Sequence, residues 1–141
     1  MTDLTPSLAA ASSTSSRTSF NIADEFVSRL ARLHPEKLAI LGTRRALTYA
    51  GLEALVARSA EALRSADCKP GERVLIALPD SAEFFGAFFG VAKIGAIAVP
   101  VNPMARATDY QHWLENCGAL NGRPFLFCGK FFRLRLDRIR L

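Results

Sequence analysis

The chain has 141 residues, half of them hydrophobic, which is enough for one domain with a buried core. Its net charge of +5 is not spread evenly: residues 1–120 hold 12 basic and 12 acidic side chains, while residues 121–141 hold 6 basic and 1 acidic. The basicity therefore belongs to the last 21 residues, and the body shows no charge signature of a nucleic-acid or anionic-membrane protein.

Residues 1–19 are rich in Ser, Thr and Ala, with Asp3 where a secretory signal would be basic and an apolar run, Leu8–Ala11, too short for a signal core. They read as a flexible lead-in. From Asn21 the spacing of Ile22, Phe26, Leu30 and Leu33, with Val27 alongside, predicts an amphipathic helix ended by His34-Pro35. Leu38–Leu41 and Ala46–Thr48 flank Gly42-Thr43-Arg44-Arg45 and predict a β-hairpin around a tight polar turn.

Thr48 offers an N-cap hydroxyl to a helix whose buried stripe is Leu52, Leu55, Val56, Ser59 or Ala60, and Leu63. Lys69-Pro70-Gly71 closes that unit. Arg73 to Leu78 reads as a buried strand, and Asp80 with Glu83 forms a capping-box pattern for a helix from Ser81 to about Ile94, stopped by Gly95. Ala96–Val101 is a second buried strand, and Thr108 with Gln111 opens a further helix ending near Gly118. Strands separated by helices of this length lie parallel, so the fold class is α/β: an incomplete parallel-type sheet with flanking helices and a short N-terminal β-hairpin.

Phe84–Val101 contains one charge, Lys93, over 18 residues and approaches a membrane span in length. Central Lys93, Gly95 and Pro100, and the switch to a β-branched run, favour a buried helix followed by a buried strand. No transmembrane span is expected.

Few residues are candidates for chemistry. Cys68, Cys117 and Cys128 are too few and irregular for a disulfide framework or a zinc motif, and with only His34 and His112 beside them four metal ligands are hard to assemble. A reduced, cytoplasmic protein is the reading. His34 and His112 stand at no motif spacing from a nucleophile or aspartate, and Cys117 near a helix end gains no activation from the dipole. Neither Gly42–Arg45 nor Gly118–Pro124 has the glycine density of a phosphate loop. Gly86, Gly90 and Gly95 read as small residues that let a helix pack close to its sheet. Lys93 has a functional reading, an anion contact, and a favoured structural one, a long side chain reaching solvent from a helix end. The tail from Phe131 to Leu141 alternates Phe132, Leu134 and Leu136 with Arg133, Arg135 and Asp137, without an aromatic base-stacking platform. Binding of an anionic surface through residues 121–141 is a minor reading, and nucleic acid is not expected.

Lys69-Pro70-Gly71-Glu72-Arg73-Val74, Leu78-Pro79-Asp80-Ser81-Ala82-Glu83-Phe84 and Lys93-Ile94-Gly95-Ala96-Ile97-Ala98-Val99-Pro100-Val101-Asn102-Pro103 resemble consecutive stretches of the AMP-forming acyl-CoA synthetases, adenylate-forming ligases of the fatty-acyl and aryl type. Leu47-Thr48-Tyr49-Ala50-Gly51-Leu52 and Leu114-Glu115-Asn116-Cys117-Gly118-Ala119 fall in the same order, so the resemblance covers about residues 21–119. It implies a ligase that joins a carboxylic acid to CoA through an acyl-adenylate, using ATP, magnesium and CoA. The family's Ser/Thr/Gly-rich loop ending in Lys-Gly, its Tyr-x-x-Thr-Glu segment, its ribose-binding Asp and its C-terminal lysine all lie downstream of these stretches. No position here matches them, so no catalytic, cofactor-binding or metal-binding residue is assigned.

Gly51 departs from the family, which often has a carboxylate there, and the resemblance ends near Ala119. The organisation expected is a lead-in over 1–19, a partial synthetase N-terminal domain over 20–119 and a basic tail over 120–141. The expected function is that of a synthetase fragment, inactive alone, whose partner is the remainder of the enzyme. The alternative is a small non-catalytic interaction module with a basic tail for an acidic partner.

Overall fold

The computed structural model describes residues 20–42, 45–118 and 125–128. Residues 1–19, the Thr43-Arg44 pair of the hairpin turn, the Ala119–Pro124 part of the second glycine-containing loop and the tail beyond Cys128 lie outside the described residues.

The first helix begins as a π-helical stretch over Asp24–Ser28 and continues as α1, Arg29–Leu33. The wide turn is marked by the Arg29 N–H donating to the Asp24 carbonyl five residues back. This extra residue in the turn rotates the helix relative to the regular spacing. Ala23 and Val27 become fully buried and Ser28 is drawn inward, whereas Phe26 is 54% exposed and Leu33 57%. The helix expected from the sequence is present, but the stripe expected to be buried is partly turned outward.

The hairpin forms as expected. Strand β1, Leu38–Leu41, pairs antiparallel with β2, Ala46–Thr48, with an irregularity between Leu38 and Ile40. Helix α2, Tyr49–Ser65, starts at the Thr48 cap, whose Oγ1 accepts the Gly51 N–H at 3.2 Å. The preceding loop satisfies two more unpaired amides: Tyr49 N–H donates to Lys37 O (2.9 Å) and Ala50 N–H to Pro35 O (3.0 Å). Three donors of the first turn thus have partners although Gly51 supplies no carboxylate.

Strand β3, Arg73–Ala77, helix α3, Ala82–Lys93, strand β4, Ile97–Pro100, helix α4, Ala107–Gly118, and strand β5, Phe125–Cys128, complete the chain order. The three strands form a parallel sheet in the order β4-β3-β5. β3 is therefore central, and its five residues are almost entirely buried. β5 falls at residues 125–128, ahead of the alternating Phe131–Leu141 tail and where no strand is expected from the sequence, and it joins the sheet through the register Val74↔Phe125 to Ala77↔Cys128.

The main core sits between this sheet and the α2–α3 pair: Ala60, Leu63, Val74, Ile76, Ala87, Val91 and Ile94. Fully burying a Leu, Ile or Val side chain contributes about 1.5–3 kcal/mol, so Leu63, Val74, Ile76 and Val91 are principal contributors. A smaller cluster of Val27, Leu52 and Val56 seats the first helix on α2.

Three local expectations are corrected. The glycines of α3 were expected to let it approach the sheet, but Gly86 and Gly90 face α2: a β-carbon on Gly86 would lie 2.9 Å from Leu55 Cβ, and one on Gly90 2.4 Å from Ser59 Cβ. Gly95 does act as the helix stop, with φ +76°. The α3 cap is Ser81, not Asp80: its hydroxyl accepts the Phe84 N–H at 3.2 Å. Helix α4 starts before Thr108, because the Asp109 carboxylate accepts the Arg106 N–H at 3.1 Å and fixes the first turn one step earlier.

Candidate functional site

In an open parallel sheet, ligands bind beyond the carboxyl ends of the strands, where successive crossovers leave in opposite directions. Here β3 connects through α3 to β4 on one side, and β4 connects through α4 to β5 on the other, so that point lies beside the ends of β3 and β4. Right-handed crossovers then put α3 and α4 on opposite faces. The loops emerging there are Leu78–Ser81 and Val101–Arg106.

Their polar groups are largely committed to holding the loops. The Asn102 Oδ1 accepts the Met104 N–H at 2.9 Å, the Tyr110 hydroxyl donates to Asn102 O at 3.0 Å, and the Val101 N–H donates to Ile76 O at 3.0 Å. Ser81 is engaged as the α3 cap. Exposed Asp80 has no nucleophile or base presented to it by these bonds. These bonds fix the two loops and, among the described residues, bring no proton-transfer pair together there.

Lys93 takes neither role weighed for it. At the end of α3 its side chain is only 21% exposed, and Nζ donates to Ser28 Oγ at 2.7 Å and Glu53 Oε1 at 3.1 Å, with Asp24 Oδ1 at 3.5 Å. Ser28 also donates to Glu53, 3.1 Å away. Nearby, the Asn21 side-chain amide donates to Ala92 O at 2.9 Å and caps the same helix end. The cluster joins the first helix, α2 and α3 as a structural clasp, with the charge matched by carboxylates rather than left for a ligand. The Asp24–Ser28 spacing of four residues was the only local sign of it; Glu53 and Lys93 arrive through tertiary packing.

The remaining candidates stay apart. His34 is exposed as the residue ending α1, and His112 is exposed on α4 beside Asn116, whose amide donates to His112 O at 2.8 Å. Burial raises the Cys117 thiol pKa, opposed by the Arg73 charge. Burial also pushes the Cys68 thiol up to about 12, reinforced by the Glu72 charge and hydrogen bond. Neither thiol is activated as a nucleophile. Among the described residues no three His, Cys, Asp or Glu side chains converge as a metal site, and no buried side-chain polar atom lacks a partner. Among the described residues, Ser81, Asn102 and Lys93 are engaged with groups of the chain itself.

A family model described as AMP-binding enzyme matches residues 27–120. The chain belongs to the AMP-binding enzyme family. Within this family, it is 36% identical over 97 residues to the 3-hydroxybenzoate–CoA ligase of Aromatoleum sp. (strain CIB), covering 68% of this chain and 18% of that one. It is 38% identical over 73 residues to the long-chain-fatty-acid–CoA ligase FadD13 of Mycobacterium tuberculosis (strain CDC 1551 / Oshkosh), covering 52% of this chain and 14% of the relative. Its fold matches the crystal structure of the N-terminal domain of FACL13 from Mycobacterium tuberculosis, with a TM-score of 0.66 and 33% identity over 71% of this chain and 26% of that one. This AMP-binding family chain thus spans less than a fifth of the length of these curated ligases. The interaction-module alternative finds no support in these likenesses. Among the described residues no helix is long and apolar enough to cross a membrane, because the apolar run breaks at Gly95 between α3 and β4.

Proposed function

We propose that this chain supplies the opening α/β scaffold of an ATP-dependent acid–CoA ligase, converting a carboxylic acid, ATP and CoA to acyl-CoA, AMP and diphosphate. The observation that carries this reading is the AMP-binding match over residues 27–120, which spans both the α2–α3 pair and the β3–α3–β4 unit. The unit is residues 20–119 together with β5, and the acid is an aryl or fatty carboxylic acid, as in the names of its relatives.

The role of these residues is positional. The sheet and its helices hold one wall of the crevice at the ends of β3 and β4, while nucleotide, magnesium and CoA are bound by residues outside those described. Alone, the chain performs no ligation. The thiols Cys68 and Cys117 are unpaired, in keeping with a reducing cytoplasmic setting.

The test is an assay of the purified chain with ATP, magnesium, CoA and a panel of benzoate-type and fatty acids. No AMP and no thioester are expected above the enzyme-free rate. Acid-dependent AMP release by the chain alone overturns the scaffold reading.

A further inference from the structure

We infer that the first helix has two registers and that Lys93 selects between them: the ammonium group holds a π-turned register with Phe26 outside, and without it the helix rewinds into a regular α-helix that packs Phe26 on α2.

The buried residues define the observed register. Ala23 and Val27 are fully buried and Ser28 is 6% exposed. On a regular helix of 3.6 residues per turn, positions five apart point about 140° from each other, so Ala23 and Ser28 cannot share a face. The π-turn over Asp24–Ser28 brings them round together, through a backbone geometry that proteins seldom use. It also displaces Phe26, whose ring meets that of the still more exposed Phe20 edge-to-face at 6.5 Å.

The sequence favours the other register. Counted from Ala23, the residues Phe26, Val27 and Leu30 stand three, four and seven positions on, the spacing of one continuous apolar face. Rewinding gathers them on α2 and turns Ser28 away. Apolar burial therefore works against the π-turn, and a polar contact must hold it.

That contact is at the end of α3. Lys93 Nζ donates to Ser28 Oγ at 2.7 Å, and Ser28 Oγ donates in turn to Glu53 Oε2 at 3.1 Å. The Lys93 side chain is 21% exposed and that of Glu53 29%, so these charge-assisted bonds are partly shielded from water. Ser28 is the link that ties them to the first helix. One residue before Lys93, Ala92 O accepts the Asn21 side-chain amide at 2.9 Å, while Asn21 Oδ1 accepts the Ala23 N–H at 2.9 Å. The start of the helix is thus pinned in both registers, and the part beyond Ala23 turns.

The test reads the backbone hydrogen bond of Arg29 in the full chain, by the coupling across that bond between the amide nitrogen and the acceptor carbonyl carbon. In the parent the acceptor is Asp24, as in the structure. In Lys93→Met it moves to Glu25, and the Phe26 ring gains nuclear Overhauser contacts with Leu52 or Val56 of α2. Retention of the Asp24 acceptor in Lys93→Met overturns the switch. So does loss of folding, because the second register then fails to sustain the fold. Deletion of Glu25 is the second variant. It puts Ser28 four residues from Ala23, so a regular helix buries both, keeps the Lys93 bonds and loses only the exposed Glu25–Arg29 ion pair. The shortened chain unfolds at no lower urea concentration than the parent, whereas removing a residue from an ordinary amphipathic helix swings every later side chain by about 100°. A lower midpoint overturns the register assignment.

Discussion

Gly90 meets Ser59 so closely that a β-carbon on the glycine would stand 2.4 Å from that of the serine, with the Ala60 amide nitrogen 3.1 Å away. No rotamer change relieves a β-carbon or a backbone atom, so the α2–α3 distance depends on Gly90 having no side chain. Since Ala60 and Leu63 of α2 and Ala87 and Val91 of α3 share one core, separation of these helices loosens the whole face. Gly90→Ala is expected to destabilise the fold by about 2–3 kcal/mol in urea unfolding. The double variant Ser59→Gly, Gly90→Ala recovers at least about 1 kcal/mol despite the helical glycine cost. A neutral Gly90→Ala contradicts this packing.

The Lys93 clasp gives a second expectation. Lys93→Met leaves Glu53 and Ser28 without their cationic partner and costs about 1–2 kcal/mol, because a hydrogen bond to a charged group is worth more than a neutral one. Glu53→Leu in the same chain recovers part of the loss, since an apolar pair requires no compensation for a stranded carboxylate. Additive losses in the double-mutant cycle count against direct coupling.

Helix α2 ends in a paired backbone turn: the Asp67 N–H donates to Arg64 O at 2.9 Å and the Cys68 N–H to Leu63 O at 3.0 Å, with Asp67 at φ +64°. The left-handed conformation costs an L-residue about 1–2 kcal/mol, part of which an Asp regains locally. Asp67→Gly therefore raises stability by about 0.5–1 kcal/mol, even though the exposed Asp67–Lys69 ion pair is removed. A lower melting temperature in calorimetry is the opposing result.

Cys68 makes stability fall in alkaline solution. Its folded pKa, pushed to about 12 from an ordinary 9.0 by burial and then by Glu72, means that the unfolded chain releases the proton first. The contribution is intact below pH 9 and is lost as pH rises from 9 toward 12, with a slope of up to about 1.4 kcal/mol per pH unit from this group. Cys68→Ala removes that slope in unfolding measured between pH 8.5 and 10.5. Unchanged pH dependence in the variant contradicts the assignment.

Strands β1 to β4, the α2 stripe and the Thr48 cap were legible because each rests on local spacing or on one side chain within three residues, whereas β5 was not expected and β4, expected as buried, leaves Ile97 46% exposed. The first helix shows the limit of that reasoning: Val27 is buried as its place beside the stripe predicts, but the π-helical turn buries Ala23 and Ser28 with it and leaves Phe26 and Leu33 exposed. Ser81 displaced Asp80 as a cap because adjacent residues both carry capping oxygens, and backbone direction selects between them. The partner of Gly86 and Gly90 was not legible, since spacing locates a small face without saying what packs on it. The roles of Asn102, Ser81 and Lys93 were not legible for a different reason: Asn102 and Ser81 accept from nearby backbone, and Lys93 meets Glu53 and Asp24 only through tertiary packing.

The scaffold claim is tested most directly by a chimera in which residues 27–120 of this chain replace the corresponding stretch of the Aromatoleum 3-hydroxybenzoate–CoA ligase, with thioester formation from 3-hydroxybenzoate measured on the soluble, folded product. If these residues position the site without performing its chemistry, kcat stays within about tenfold of the parent ligase, a barrier change near 1.4 kcal/mol. A folded chimera whose kcat falls by about ten-thousand-fold contradicts the account, because the replaced residues would then contain a group that acts on the reacting atoms.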